Sequence, residues 1–190
     1  MGCASSTIET REDWEQEMEL YENKVLKLSG FKDEEMEVCW TTIEMNNKPF
    51  KIRTFYFGKE QRDKPTLLLT HGNMANIIGF FRLTKILSEK YRIVAFDNMN
   101  LGMNTRSTDT VQNETPETAE EWIRDWLTKA FAAFDIPEKF YMTAHSFGGY
   151  ITMMVGSLFP ERIESMFLMS PAGTNSYNAE TYEPYGYVSM

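Results

Sequence analysis

Residues 139–150 read KFYMTAHSFGGY. The first half has the character of a short apolar strand, the second half opens a helix, and Ser146 stands at the turn between them. A strand-to-helix turn of this kind holds a serine hydroxyl clear of the sheet. The helix N-terminus behind it presents unpaired N–H groups to a developing negative charge. Strand and helix can cross closely only if the residues two before and two after the serine are small. Ala144 and Gly148 occupy those positions, with Gly149 next, so the pattern is A-H-S-F-G-G. The backbone N–H of Phe147 is the expected first donor to an oxyanion. His145 lies inside the turn, where the backbone directs it away from Ser146.

Acyl transfer needs a second donor from the loop after an earlier strand. The sequence offers THGN at 70–73, in which Asn73 follows His71 and Gly72. Asn73 is the expected second donor, and His71 reads as a structural loop histidine, because the base of such a site follows the serine in chain order. Four apolar runs, at 66–72, 92–97, 139–144 and 163–171, alternate with helical patterns at 76–91, 114–134 and 147–159. That alternation predicts a mostly parallel sheet buried on both faces by helices, with its functional loops at the C-terminal ends of the strands. Thr115 before Pro116 marks the start of the middle helix. In front of this α/β unit, NNKP at 46–49 separates two strand-like runs and predicts a hairpin. Residues 10–29 predict an extra N-terminal amphipathic helix, with a stripe of Trp14, Met18, Tyr21, Val25 and Leu28 and with Gly30 as its C-terminal cap. Asp97 reads as a structural carboxylate that pairs with loop N–H groups, while Asp109 and Glu114 read as solvated loop charges.

A net charge of -9 leaves no basic stripe for nucleic acid, so no nucleic-acid partner is expected. No apolar run reaches the ~18–20 residues that cross a bilayer. Two cysteines, Cys3 and Cys39, form no disulfide framework and point to a reducing compartment. Two histidines and two cysteines so far apart give no metal spacing, and no phosphate loop opens a helix, so neither a metal nor a cofactor is expected. The chain begins MGCASS. Gly2, exposed once Met1 is removed, and Ser6 fit N-myristoylation, and Cys3 offers a site for palmitoylation. Two acyl chains would hold the protein peripherally on a membrane, facing the cytosol or another reducing space, where one chain would bind only reversibly.

The strand ending in His-Gly, the segment AFDNMNLGMNTRS at 95–107 and the A-H-S-F-G-G turn together resemble the α/β-hydrolase fold. With SPAG at 170–173 and the aromatic tail YEPYGYVSM, they are similar to its lipid-acting branch of lysophospholipid and N-acyl phospholipid lipases and a lipid-droplet lipase coactivator. The resemblance divides the chain into a lipidation-type segment (1–9), the amphipathic helix (10–30) and an α/β-hydrolase core (35–190) that stops before the acid and histidine strands. It implies a serine ester hydrolase or acyltransferase of lipid esters, with Ser146 as nucleophile and a triad incomplete in this chain, since no histidine follows His145. The alternative is a catalytically inactive structural subunit of a larger, membrane-associated assembly. Either way, the unpaired sheet edge after the sixth strand is expected to meet a protein partner. The acylation reading gives an intact mass for the native protein that exceeds the sequence mass by two acyl chains. An unmodified Gly2 in that spectrum removes it.

Overall fold

A computed structural model describes residues 11–107 and 115–174. The acylation positions Gly2 and Cys3, the carboxylates Asp109 and Glu114 and the aromatic tail lie outside the described residues. Two long strands, β1 (Met36–Met45) and β2 (Lys48–Phe57), form the hairpin. Asn46 and Asn47 both take positive φ, 49° and 58°, which is the backbone of a two-residue turn whose twist matches that of the strands. Then follow β3 (Thr66–Thr70), α2 (Phe81–Ser88), β4 (Arg92–Phe96), α3 (Pro116–Ala133), β5 (Phe140–His145), α4 (Phe147–Leu158) and β6 (Ile163–Met169), all preceded by α1 (Arg11–Leu28). The six strands make one sheet in the order β1-β2-β4-β3-β5-β6. The hairpin joins it antiparallel through β2 and β4, and the remaining pairs are parallel.

Register is what assembles the site. Thr70 pairs with Phe96 on one side and Ala144 on the other, and Ala144 pairs with Leu168. The next residue of each strand, namely His71, Asp97, His145 and Met169, therefore stands in one row along the C-terminal edge. Side chains alternate between the two faces. Leu68, Val94, Phe96 and Met142 meet Trp126, Phe131 and Val155 of α3 and α4 on one face. There the Phe96 ring lies 5.0 Å from Phe134 and 6.0 Å from Phe131, contacts that add to the area they bury. Leu67, Leu69, Ile93 and Ala95 meet Leu26, Phe31, Phe55 and Phe57 on the other face. The Thr115 side chain accepts the Thr118 N–H at the start of α3, as the sequence predicts. No helix among the described residues is long and apolar enough to cross a membrane.

Three expectations need correction. The strand β6 is not buried on both faces: Phe167 is 68% exposed. The helices of that face, α1 and α2, stop short of β6 and leave an apolar trough lined by Leu83, Leu87, Tyr141 and Phe167. The helix expected over 76–91 begins instead as a 3-10 turn, Ile77–Phe80, whose first N–H, that of Ile77, is capped by the Asp97 carboxylate. The stripe assigned to α1 is rotated. Tyr21 and Leu28 are 57% and 81% exposed, whereas Glu22 and Leu26 are buried.

The rotation of α1 has an electrostatic cause. Arg53, buried on β2, donates two hydrogen bonds to Glu22 (2.6 and 2.9 Å) and one to Glu19 (3.0 Å), and its guanidinium lies 4.9 Å from the Trp40 ring centroid. Leaving this guanidinium buried and unpaired would cost several kcal/mol, more than turning two apolar side chains outward. The helix ends as expected at Gly30, with φ 88°. The Gly30 N–H bonds the Lys27 carbonyl and the Phe31 N–H bonds the Leu26 carbonyl.

Burial pushes the Glu22 carboxyl up to about 7, although Arg53 draws it down. The folded chain thus holds this proton more tightly than the unfolded chain. The resulting stability is complete below the usual carboxylate range and is lost as pH rises through about 7. Relative to E22Q, the wild-type chain is expected to lose up to about 3 kcal/mol between pH 4.5 and pH 8, read by urea unfolding at each pH. A difference that stays constant across that range contradicts the assignment.

Candidate active site

Ser146 adopts φ 54° and ψ −119°, a backbone conformation that a residue with a side chain reaches only under constraint. The constraint is visible on both sides. The Ser146 N–H donates to the Met169 carbonyl of β6 (3.0 Å), and the Ser146 carbonyl accepts the N–H groups of Gly149 and Ala172 (both 2.9 Å). The elbow is thus tied to the end of β6 as well as to the first turn of α4. Gly148 lies so close to β3 that a Cβ there would stand 2.5 Å from the His71 carbonyl oxygen, and one on Gly149 would stand 2.5 Å from the Pro171 Cβ. Small residues here are a steric requirement, as the sequence predicts. Ala144 is fully buried beneath the turn, and Gly72 faces the Ser146 Cβ across it. His145 is exposed, its ring edge-on to Phe80 at 6.3 Å.

His71 is fully buried. Its Nδ1 lies 2.7 Å from the Gly72 carbonyl oxygen, and its Nε2 accepts the Asn98 N–H at 3.0 Å, which fits the Nδ1–H tautomer. The ring has no nitrogen left for Ser146. Asp97 accepts the Ile77 N–H (2.9 Å) on one oxygen and the Met103 N–H (3.0 Å) on the other. It is the structural carboxylate the sequence predicts. Around it, the Asn98 amide donates to the His71 carbonyl and accepts from Thr70 Oγ1. The Asn104 amide donates to the carbonyls of Asp97 and Asn98 and accepts the Arg53 N–H. Sequence reasoning missed both asparagines and the Pro171–Ala172 clasp. The available signal was three asparagines, at 98, 100 and 104, between an apolar strand and a polar loop.

Asn73 and Phe147, paired on paper as oxyanion donors, come together. Both line one cavity of about 260 Å³, whose apolar wall includes Met99, Leu101 and Ile123. Among the described residues no side chain hydrogen-bonds the Ser146 hydroxyl, and no group of three or more His, Cys, Asp or Glu side chains forms a metal site. Cys39 sits half-buried on β1, where burial pushes its thiol up, away from reactive thiolate.

The alpha/beta hydrolase fold family matches residues 65–187. A probable 1-acylglycerol-3-phosphate O-acyltransferase of Oryza sativa subsp. japonica is 31% identical over 138 residues, which are 73% of this chain and 32% of that protein. A (lyso)-N-acylphosphatidylethanolamine lipase of Mus musculus is 26% identical over 123 residues, 65% of this chain and 35% of that one. Among solved structures, carboxylesterase CesB from Bacillus subtilis superimposes with a TM-score of 0.65 at 20% identity, over 83% of this chain and 50% of that chain. The chain spans about a third of the length of the curated relatives it matches.

Replacing Asp97 by Ala leaves two buried N–H groups without an acceptor. The D97A variant is expected to lose about 2–4 kcal/mol in urea unfolding. Removing the exposed Glu37 carboxylate from its pair with Lys59 (2.8 Å) costs less than about 1 kcal/mol in the same assay. Equal losses for D97A and E37Q contradict the structural role given to Asp97.

Proposed function

Because the chain belongs to the alpha/beta hydrolase fold family, we propose that Ser146 is the nucleophile of acyl transfer from a lipid ester. The observation that carries this reading is the φ 54°, ψ −119° backbone of Ser146 at the tip of the β5–α4 turn, a strained conformation held by backbone hydrogen bonds to both β6 and α4. The Ser146 hydroxyl oxygen attacks the ester carbonyl carbon while its proton passes to a base. The N–H groups of Phe147 and Asn73 then stabilise the oxyanion, and the alcohol leaves with a proton as the acyl-serine forms. Water, or a second alcohol, takes the acyl group from Ser146 in the return step. The first outcome is hydrolysis and the second is transfer, matching the lipase and acyltransferase names of the two relatives.

Neither histidine of these 190 residues is placed to act as that base. His71 is committed to the loop network, and His145 lies within the elbow itself. The reading therefore requires a histidine and an acid contributed from outside these 190 residues, because an oxyanion hole without a base leaves only residual catalysis. A second reading, a catalytically silent and membrane-attached subunit, draws its contact surface from the face of β6 that no described residue covers, with Phe167 exposed on it. The lipid substrate rests on the names of the relatives, and membrane attachment rests on the MGCASS segment with Gly2 and Cys3.

A fluorophosphonate probe applied to the native protein separates the two readings. Stoichiometric labelling at Ser146, absent in S146A, is the outcome of the enzyme reading. A native protein that takes no probe while a serine hydrolase in the same preparation is labelled would falsify it and leave the silent subunit.

A further inference from the structure

The helix α1 carries two lanes of side chains that its own fold leaves largely open. Trp14, Met18, Tyr21, Val25 and Leu28 follow one another at steps of four and three, the spacing of a seam between paired helices. The Glu22–Arg53 pair turns this seam sideways, and Leu26 is the α1 side chain that joins the core. Tyr21 and Leu28 stand exposed, while Trp14, Met18 and Val25 are half-buried. Beside the seam, on the flank away from Glu22 and Leu26, runs a second lane with the same steps: Asp13, Glu17, Leu20, Lys24 and Lys27.

The second lane is its own complement when reversed, since it runs acid, acid, leucine, lysine, lysine. A second copy of α1 laid antiparallel, with Leu20 at the crossing, sets Asp13 against that copy's Lys27 and Glu17 against its Lys24. The two-fold axis repeats both pairs. The same reversal brings Trp14 against Leu28, Met18 against Val25 and Tyr21 against Tyr21 in the seam, and it opposes the two helix dipoles favourably. A parallel pair would set acid on acid and lysine on lysine. The Lys24 ammonium lies 5.5 Å from the Tyr21 ring centroid, at the border of the two lanes. Lys27 also reaches Asp33 of its own chain (3.4 Å), an exposed contact worth little by itself.

We propose that α1 is a dimerisation surface whose partner is a second copy of this chain, packed antiparallel about a two-fold axis near Leu20 and Tyr21. The seam supplies the apolar contact and the charged lane supplies direction and register. A bilayer suits this face less well, because the lane beside the seam opens with two carboxylates that an anionic surface repels. The 18 residues of α1 make a helix about 27 Å long. A contact of that length is smaller than the interface of a permanent dimer, so monomer and dimer exchange reversibly. The dimer takes nothing from Ser146, and S146A associates as the wild-type chain does.

Sedimentation equilibrium of the 190-residue chain over a range of concentrations is expected to show a 22.1 kDa monomer in exchange with a species of twice that mass. Every substitution acts twice in a symmetric interface. L28E is expected to raise the dimer Kd at least about tenfold with the melting temperature unchanged, because Leu28 is exposed in its own chain. K24E and E17K each raise it by about fivefold, the scale of two exposed ion pairs. The double variant E17K/K24E restores the wild-type Kd, since its lane is again self-complementary. A chain still monomeric at about 1 mM overturns the proposal. So does a dimer that L28E leaves intact, which places the contact on another face, such as the exposed side of β6. Failure of the double variant to recover association, with each melting temperature unchanged, overturns the antiparallel arrangement. A chain that stays monomeric but binds phosphatidylserine vesicles, and loses that binding in L28E, assigns the seam to a membrane instead.

Discussion

The buried carboxylate of Asp97 holds the C-terminal edge of this sheet together. It stands one residue beyond β4 and takes N–H groups from two different loops, Ile77 after β3 and Met103 after β4. Those bonds set where each loop leaves the sheet, and the Asn98 and Asn104 amides propagate the same constraint to the carbonyls between them. A buried anion of this kind is tolerated only because its lone pairs are satisfied. With the loops so fixed, Asn73 and Phe147 line one cavity together with Leu101. An apolar residue in place of Asp97 would leave the strands intact and the edge above them unspecified.

The N-terminal helix is joined to this edge by charge more than by grease. Arg53 passes its backbone N–H to Asn104 and its guanidinium to Glu19 and Glu22, so one residue of β2 links α1 to the loop network. Arg11 repeats the link at the other end of the helix. Leu26 and Phe31 supply apolar anchorage only at the C-terminal end. A helix held in this way keeps a defined register against the sheet while leaving Leu20, Tyr21 and Leu28 on its outer side.

The fold was legible because its determinants are local. Apolar runs of strand length, Asn-Asn at the hairpin and Thr-Pro before α3 each specify an element from a few neighbouring residues. The serine turn was legible for the same reason, since the small residues around Ser146 answer a packing need that shows in five letters. What escaped were features set by partners distant in sequence. Glu22 looked like one acid among many until Arg53, thirty-one residues away, drew it inward and turned the helix. Asn98 and Asn104 looked like loop residues until the edge of the sheet gave them carbonyls to satisfy. The exposed face of β6 was equally invisible, because an apolar strand reads the same whether or not a helix covers it.

The clasp on Ser146 has a consequence for how the molecule reaches its working form. The serine's backbone conformation is unfavourable by roughly 1–3 kcal/mol on its own. Two of the bonds that hold it come from Met169 and Ala172, at and just beyond the end of β6. Until that strand docks beside β5, the turn is held only by its bond to the Gly149 N–H of α4. The strained geometry of Ser146 therefore depends on β6 as well as on the local motif. A chain in which β6 has not docked carries the full A-H-S-F-G-G sequence without two of the three backbone hydrogen bonds that hold the turn.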